Sequence, residues 1–194
     1  VHGDAAKIGA AMLNHSAVKK ISFTGSTRVG KILMDGASKT NTKLALELGG
    51  NAPVIILDDV DIEHVAKTAA TTKFRNCGQV CISPQRFYVH EKIFEEFSAL
   101  VANYAAALTV GNGLDSETRL GPLINKTQQQ HVLQIIEQAK EEKNNIITGG
   151  TAQHPGNFVL PTVIEVTNKQ SEFIHKEIFG PVMPLIPFST IEEV

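Results

Sequence analysis

Apolar residues fall at helical spacing in some stretches of this chain and in short unbroken runs in others. Ala5–Asn14 has helical periodicity, and Lys20–Thr24 (KISFT) is a short apolar run that predicts a buried strand. A Gly-bounded turn, GSTRVG, follows, and residues 31–38 continue as a helix. Strand, turn and helix in that order make half of a βαβ unit. Residues 44–48 (LALEL) predict a second strand, stopped by Gly49-Gly50, and residues 54–57 (VIIL) a third. Asp58, Asp59 and Asp61 supply N-cap chemistry for a helix from Ile62 to about Phe74. Arg86–His90 reads as a strand, residues 93–108 as an amphipathic helix and 111–122 as a loop. Residues 126–143 are helical with a polar face, and Thr148-Gly149-Gly150 turns the chain. Residues 158–166 read as extended. Residues 177–187, apolar and interrupted by Pro, read as loop and strand. The alternation, without repeats, predicts an α/β fold with a largely parallel sheet.

Composition changes this picture little. The chain has 194 residues, 42% hydrophobic and 20% charged, which fits one large globular domain or parts of two. A net charge of −2 offers no basic surface for nucleic acid. No apolar run reaches the roughly 20 residues of a membrane span, so no membrane partner is expected. The opening VHGDAAKIGAAMLNH lacks an initiator Met and a secretory pattern, which predicts a chain that starts mid-protein or has been processed. The two cysteines, Cys77 and Cys81, make no disulfide framework and predict a reducing, cytoplasmic setting.

The turn Gly25–Lys31 (GSTRVGK) matches most of the P-loop pattern, which raises the possibility of a nucleotide triphosphatase. The next residue is Ile32, where a P-loop needs a hydroxyl for magnesium, and this argues against that reading. The turn retains two uses. It can be a strand–helix connection with a Ser/Thr cap, or it can present helix N-terminal amides and hydroxyls to a phosphate-bearing cofactor.

Residues 74–87, FRNCGQVCISPQRF, carry the most chemistry. Cys81 follows a predicted helix and Gly78, in a turn rather than inside an element. A buried Cys is usually an inert small hydrophobe, and a free thiol titrates near about pH 8.5, so a nucleophile needs help from neighbouring donors or dipoles. This segment resembles the cysteine signature of the aldehyde dehydrogenase family, in which the Cys after G-Q-x is the catalytic thiol. LELGGNAP (residues 46–53) resembles the family's glutamate signature, with Glu47 lying 34 residues before Cys81. FTGSTRVG (23–30) resembles its cofactor-phosphate turn, and KEIFGPV (176–182) a later motif that meets the nicotinamide ribose. The four motifs occur in family order.

The resemblance implies an oxidoreductase that oxidises an aldehyde to a carboxylic acid with NAD or NADP. Cys81 would attack as thiolate, forming a thiohemiacetal and then a thioester. Glu47 would be the general base for hydrolysis, and its apolar LELGG setting predicts a partly desolvated carboxylate. The oxyanion would rest on the Cys81 N–H and on an Asn that the family carries upstream. Gly25, Ser26, Thr27 and Gly30 would hold the pyrophosphate, with Leu48 and Gly49 beside the nicotinamide. Glu177 would accept from the ribose hydroxyls, with Phe179 packed alongside. Without the motif, Glu47 reads as a strand-end carboxylate, Glu177 as a solvated charge and Phe179 as core.

The resemblance also implies an aldehyde dehydrogenase-like organisation. Residues 1–49 would end a Rossmann-like cofactor domain, and 50–194 would form most of an α/β catalytic domain, incomplete at its C-terminus. The full-length protein would be a homodimer or homotetramer. FRN resembles the succinate-semialdehyde branch, where Arg75 would grip a substrate carboxylate bidentately; otherwise Arg75 is a solvated helix-end charge. Cys77 reads as packing, as a redox lock with Cys81, or as a zinc ligand, although no set of ligands completes a zinc site. Scattered histidines, among them His2, His15, His64 and His131, carry no predicted role, and no metal is expected. Two other functional classes stay open: a non-catalytic fragment or pseudoenzyme, and a cofactor-independent thioesterase or acyltransferase using Cys81.

Overall fold

Short polar side chains set where several helices begin. In the computed structural model, which describes residues 2–153 and 155–194, the chain divides into two units, Val1–Gly50 and Asn51–Val194. In the first, the Asp4 carboxylate caps α1 (Ala5–Asn14) by accepting from the Ala6 and Lys7 amides at 2.9 and 3.1 Å. Strand β1 (Lys20–Thr24), helix α2 (Thr27–Ser38) and strand β2 (Lys43–Glu47) follow. The two strands pair in parallel, from Lys20 opposite Lys43 to Thr24 opposite Glu47, so β1-α2-β2 is a complete βαβ unit. Helix α2 starts at Thr27, earlier than the expected residue 31. Ser26 Oγ accepts from the Val29 amide at 3.3 Å, which lets the helix begin directly after the glycine turn. A Cβ on Gly30 would sit 2.9 Å from Leu48 Cδ2, so this glycine permits close packing of α2 on the chain leaving β2.

The second unit contains β3 (Pro53–Ile56), α3 (Ile62–Phe74), β4 (Arg86–His90), α4 (Phe94–Ala106) and α5 (Lys126–Glu141). After these come β5 (Asn145–Thr148), β6 (Ala152–Gln153), β7 (Phe158–Val159), β8 (Thr162–Glu165) and β9 (Val182–Phe188). Of the three aspartates before α3, Asp61 is the cap, accepting from the His64 amide at 3.0 Å. The expected helix 93–108 is shorter, because Glu91–Ile93 forms a 3-10 turn ahead of α4. The expected extended piece 158–166 is divided at Leu160-Pro161, β7 pairing with β6 and β8 joining the main sheet.

That sheet has the order β3-β4-β9-β8-β5, parallel except for β5. Its central strand is β9, whose residues are all buried except the partly exposed Pro187. Prolines are unusual in a central strand because each lacks a ladder donor. Here the ladders are staggered. Pro184 precedes the β4 ladder, which begins at Leu185, and Pro187 follows the β8 ladder, whose last pair is also at Leu185. The core lies between this sheet and the helices, with Phe87, Val89, Phe97, Val101, Val132 and Leu185 fully buried.

Candidate active site

The four motifs collect as two pairs, one in each unit. In the first, parallel pairing of β1 with β2 brings the phosphate-type turn to the end of the strand that carries Glu47. The Gly25 amide donates to the Glu47 carbonyl at 3.0 Å. Beyond Gly25, the first amides of α2 precede the intrahelical ladder, which opens with Gly30 N donating to Ser26 O at 3.0 Å. Ser26 Oγ accepts in its cap and keeps its hydroxyl proton to donate. Leu48 is half-buried on Gly30 and leads to Gly49. Glu47 is exposed, so the expected apolar enclosure of its carboxylate is absent; it stands at the end of a two-stranded sheet. The triphosphatase reading also fails on geometry. Residues 27–30 are already helical, leaving no long loop to wrap phosphates, and Ile32 faces solvent.

In the second unit the cysteine turn packs on the EIFGP segment. Helix α3 ends at Phe74, and Asn76, Cys77 and Gly78 then take left-handed φ values of 49°, 60° and 69°. Gly78 adopts the region freely, whereas Asn76 and Cys77, which carry side chains, are strained there unless the surroundings hold them. Several contacts do so. Asn76 Nδ2 donates to the Gln79 carbonyl at 3.0 Å, Cys77 Sγ donates to the Gly121 carbonyl at 3.0 Å, and Gln79 Oε1 accepts from the Ile124 amide at 3.0 Å. A Cβ on Gly78 would lie 2.2 Å from the Gly180 carbonyl oxygen, so the turn rests against the backbone of the EIFGP motif. Cys81 then sits exposed in an irregular turn, and Arg75 is exposed at the end of α3.

Both cysteines are free. Cys77 is buried, and burial pushes its thiol up to about 12, which keeps it protonated and unreactive near neutrality. It packs and hydrogen-bonds; it is not a partner to Cys81 in this structure. Among the described residues, no group of three or more His, Cys, Asp or Glu could hold a metal. None of the described helices is long and apolar enough to cross a membrane.

Phe179 also has a positive φ, 51°, and is only partly buried, so it is not plain core. Its carbonyl accepts from Gln128 Nε2 at 2.9 Å, and the Ile178 carbonyl accepts from the same amide group at 3.4 Å. Glu177, next to it, is half-buried. Three residues around these loops carry no functional signature in the sequence: Gln128, Gln85 and Lys73. Lys73 and Gln85 are buried at 0% and 1% exposure. Lys73 Nζ donates to the Pro84 carbonyl at 3.0 Å and to Gln85 Oε1 at 3.5 Å. Desolvation lowers Lys73 to about 7, with the Glu177 carboxylate pulling in the opposite direction. The one available signal was helical phase, which puts Lys73 with Ala66, Ala69 and Ala70 on the buried face of α3.

The aldehyde dehydrogenase family model matches residues 1–194. The mitochondrial succinate-semialdehyde dehydrogenase of Oryza sativa subsp. japonica is 44% identical over 194 residues, covering all of this chain and 37% of the relative. The 3-sulfolactaldehyde dehydrogenase of Pseudomonas putida is 40% identical over 196 residues, covering all of this chain and 40% of the relative. The solved NAD+ complex of an aldehyde dehydrogenase from Bacillus cereus superposes with a TM-score of 0.94 at 38% identity, over 98% of this chain and 39% of that one. The chain therefore belongs to the aldehyde dehydrogenase family. It spans about two fifths of the length of the relatives it matches.

Proposed function

We propose that this chain carries the thiol, the base and cofactor-facing loops of an NAD(P)-dependent aldehyde dehydrogenase acting on a semialdehyde with a distal anionic group, such as succinate semialdehyde. The observation that carries the reading is the pairing of motifs: the phosphate turn with Glu47, and the Cys81 turn with the Glu177–Phe179 loop. In this reading Val1–Gly50 ends the cofactor domain and Asn51–Val194 is most of the catalytic domain.

The donor set suits a dinucleotide. The first amides of α2 and the Ser26 hydroxyl are donors for a pyrophosphate, and the Glu177 carboxylate is an acceptor for ribose hydroxyls. When bound, the nicotinamide supplies the hydride acceptor. The chain's own residues do the rest. The Cys81 thiolate adds to the aldehyde carbon, and its backbone N–H donates to the developing oxyanion. Once the carbon is at the thioester level, Glu47 takes a proton from water, the water oxygen attacks the thioester carbon, and the C–S bond breaks to return Cys81 as thiolate. Arg75, six residues before the thiol, offers a fork of donors to the distal anion. Succinate semialdehyde and 3-sulfolactaldehyde, named for the two relatives, both carry such a group.

The test is an assay of the intact enzyme that follows reduced-cofactor absorbance with succinate semialdehyde and with a neutral aldehyde of similar length. Activity lost in Cys81→Ala is expected. Thioester hydrolysis without cofactor reduction would instead make Cys81 the nucleophile of a hydrolase. Arg75→Ala is expected to raise KM for the acidic aldehyde about tenfold, the equivalent of about 1.4 kcal/mol. An equal change for the neutral aldehyde would remove the substrate assignment and leave the reaction class standing.

A further inference from the structure

We propose that Lys73 and Gln85 form a buried polar brace that holds the Cys81 turn and the Glu177–Phe179 loop in register, making them positioning residues for both. The inference rests on the function proposed above and adds residues that lie outside the four signature roles. Its basis is a closed set of contacts inside the second unit. Gln85 Oε1 accepts from Lys73 Nζ at 3.5 Å and from the Ile178 amide at 3.3 Å, so one oxygen joins the end of α3 to the EIFGP segment. Gln85 Nε2 donates to the Ser83 carbonyl at 3.2 Å, and Lys73 Nζ donates to the Pro84 carbonyl at 3.0 Å. Ser83 and Pro84 are the residues that bring the chain back from Cys81 into β4.

The turn is thus pinned at both ends to the same segment. Before Cys81, Gly78 rests on the Gly180 carbonyl; after it, Ser83 and Pro84 are tied through Gln85 and Lys73 to Ile178. Cys81 and Ile82 span the gap and are exposed. Ile178 itself is held on its N–H side by Gln85 and on its carbonyl side by Gln128. A fully buried lysine is costly to keep without a purpose. Packing alone would be served by Met at that site. What Lys73 adds is a donor to two acceptors on the thiol side and an attraction to Glu177 on the cofactor side.

The experiment is amide hydrogen exchange by mass spectrometry on the cofactor-free intact enzyme, comparing wild type, Lys73→Met and Gln85→Met. Cofactor affinity is measured alongside by titration calorimetry. Exchange is expected to speed about tenfold in both 79–84 and 176–180, with α4 unchanged, and the cofactor Kd to rise about tenfold. The double variant is expected to be no worse than the worse single variant, because the two residues act as one unit. If Lys73→Met fails to fold, Gln85→Glu, which keeps the shared acceptor but not the donor to Ser83, is expected to loosen 79–84 more than 176–180. Loosening of one segment alone in both Met variants, a uniform rise that includes α4, or an unchanged Kd would overturn the brace. The exchange result needs no turnover, so an enzyme that proved inactive toward aldehydes would sink the proposed function without deciding this one.

Discussion

The two units make an instructive contrast. Val1–Gly50 has a two-stranded parallel sheet, and among its described residues the buried hydrophobic side chains are few: Ile21, Leu33 and Ala37. Asn51–Val194 has a five-stranded sheet with a contiguous core. A two-stranded sheet with a thin core is marginal by itself, and parts of α1 and α2 leave Met12, Ile32 and Met34 about half exposed. The same contrast runs through the chemistry. The first unit offers Glu47, helix-end amides and a hydroxyl, all exposed or partly so. The second surrounds its thiol turn with left-handed backbone, close glycine contacts and buried hydrogen bonds. Under the proposed function, this leaves the base at an exposed strand end and the nucleophile on a turn whose backbone is held from several sides.

The largest expected effect separates the two units by reaction step. Cys81→Ala should abolish cofactor reduction altogether. Glu47→Gln should keep a first-turnover burst of reduced cofactor and slow steady turnover by about 10²–10⁴-fold, the usual worth of a general base. Stopped-flow absorbance distinguishes them, and a Glu47→Gln enzyme without a burst would place Glu47 before the thioester. Next comes packing. Phe97→Ala, in the core of the second unit, should cost about 3–5 kcal/mol in urea unfolding. Leu33→Ala, in the first, should cost about 2–3 kcal/mol, since its site can partly collapse. Equal losses would mean that the first unit is packed as firmly as the second.

A pH series sharpens the picture of the second unit. Lys73 is lowered from an ordinary 10.5 to about 7 by burial. Between those values the unfolded chain holds a proton that the folded chain does not, so stability should rise with pH from about 7 towards 10.5 and stay flat below. Urea midpoints of wild type minus Lys73→Met, measured at pH 7, 8 and 9, should climb; parallel curves would place Lys73 in water. The smallest effect belongs to the first unit. Ser26→Ala should cost about 1 kcal/mol of stability as a lost helix cap, and calorimetry should show weaker cofactor binding. Weaker binding with unchanged stability would mean that the hydroxyl serves the ligand alone.

Much of this was legible along the chain because it is local. Ala5–Asn14, Ile62–Phe74 and Arg86–His90 were predicted with the boundaries they have, since caps and periodicity act within a few residues. Cys81, Glu47, Ser26 and Glu177 stood out as motif residues. Less visible were features in which distant segments meet. Nothing near Lys73 in sequence says that its ammonium ends on Pro84 and Gln85, and nothing near Gln85 says that Ile178 lies opposite, 93 residues away. The apolar setting of Glu47 was a local inference that the fold did not honour, because apolar neighbours along a strand alternate faces and do not by themselves cover a strand end.

By itself, then, the sequence determined the α/β class, most of the elements and the residues that can do chemistry, because capping, periodicity and side-chain chemistry need no partner far along the chain. Tertiary structure alone decided which motifs meet. It put β9 at the centre of a sheet whose staggered ladders tolerate two prolines, held Asn76–Gly78 in a left-handed turn, and buried Lys73 against Pro84 and Gln85. Each of these depends on contacts between residues far apart in sequence. Such contacts form only when the core closes, and their stability comes from burial that no single segment can supply.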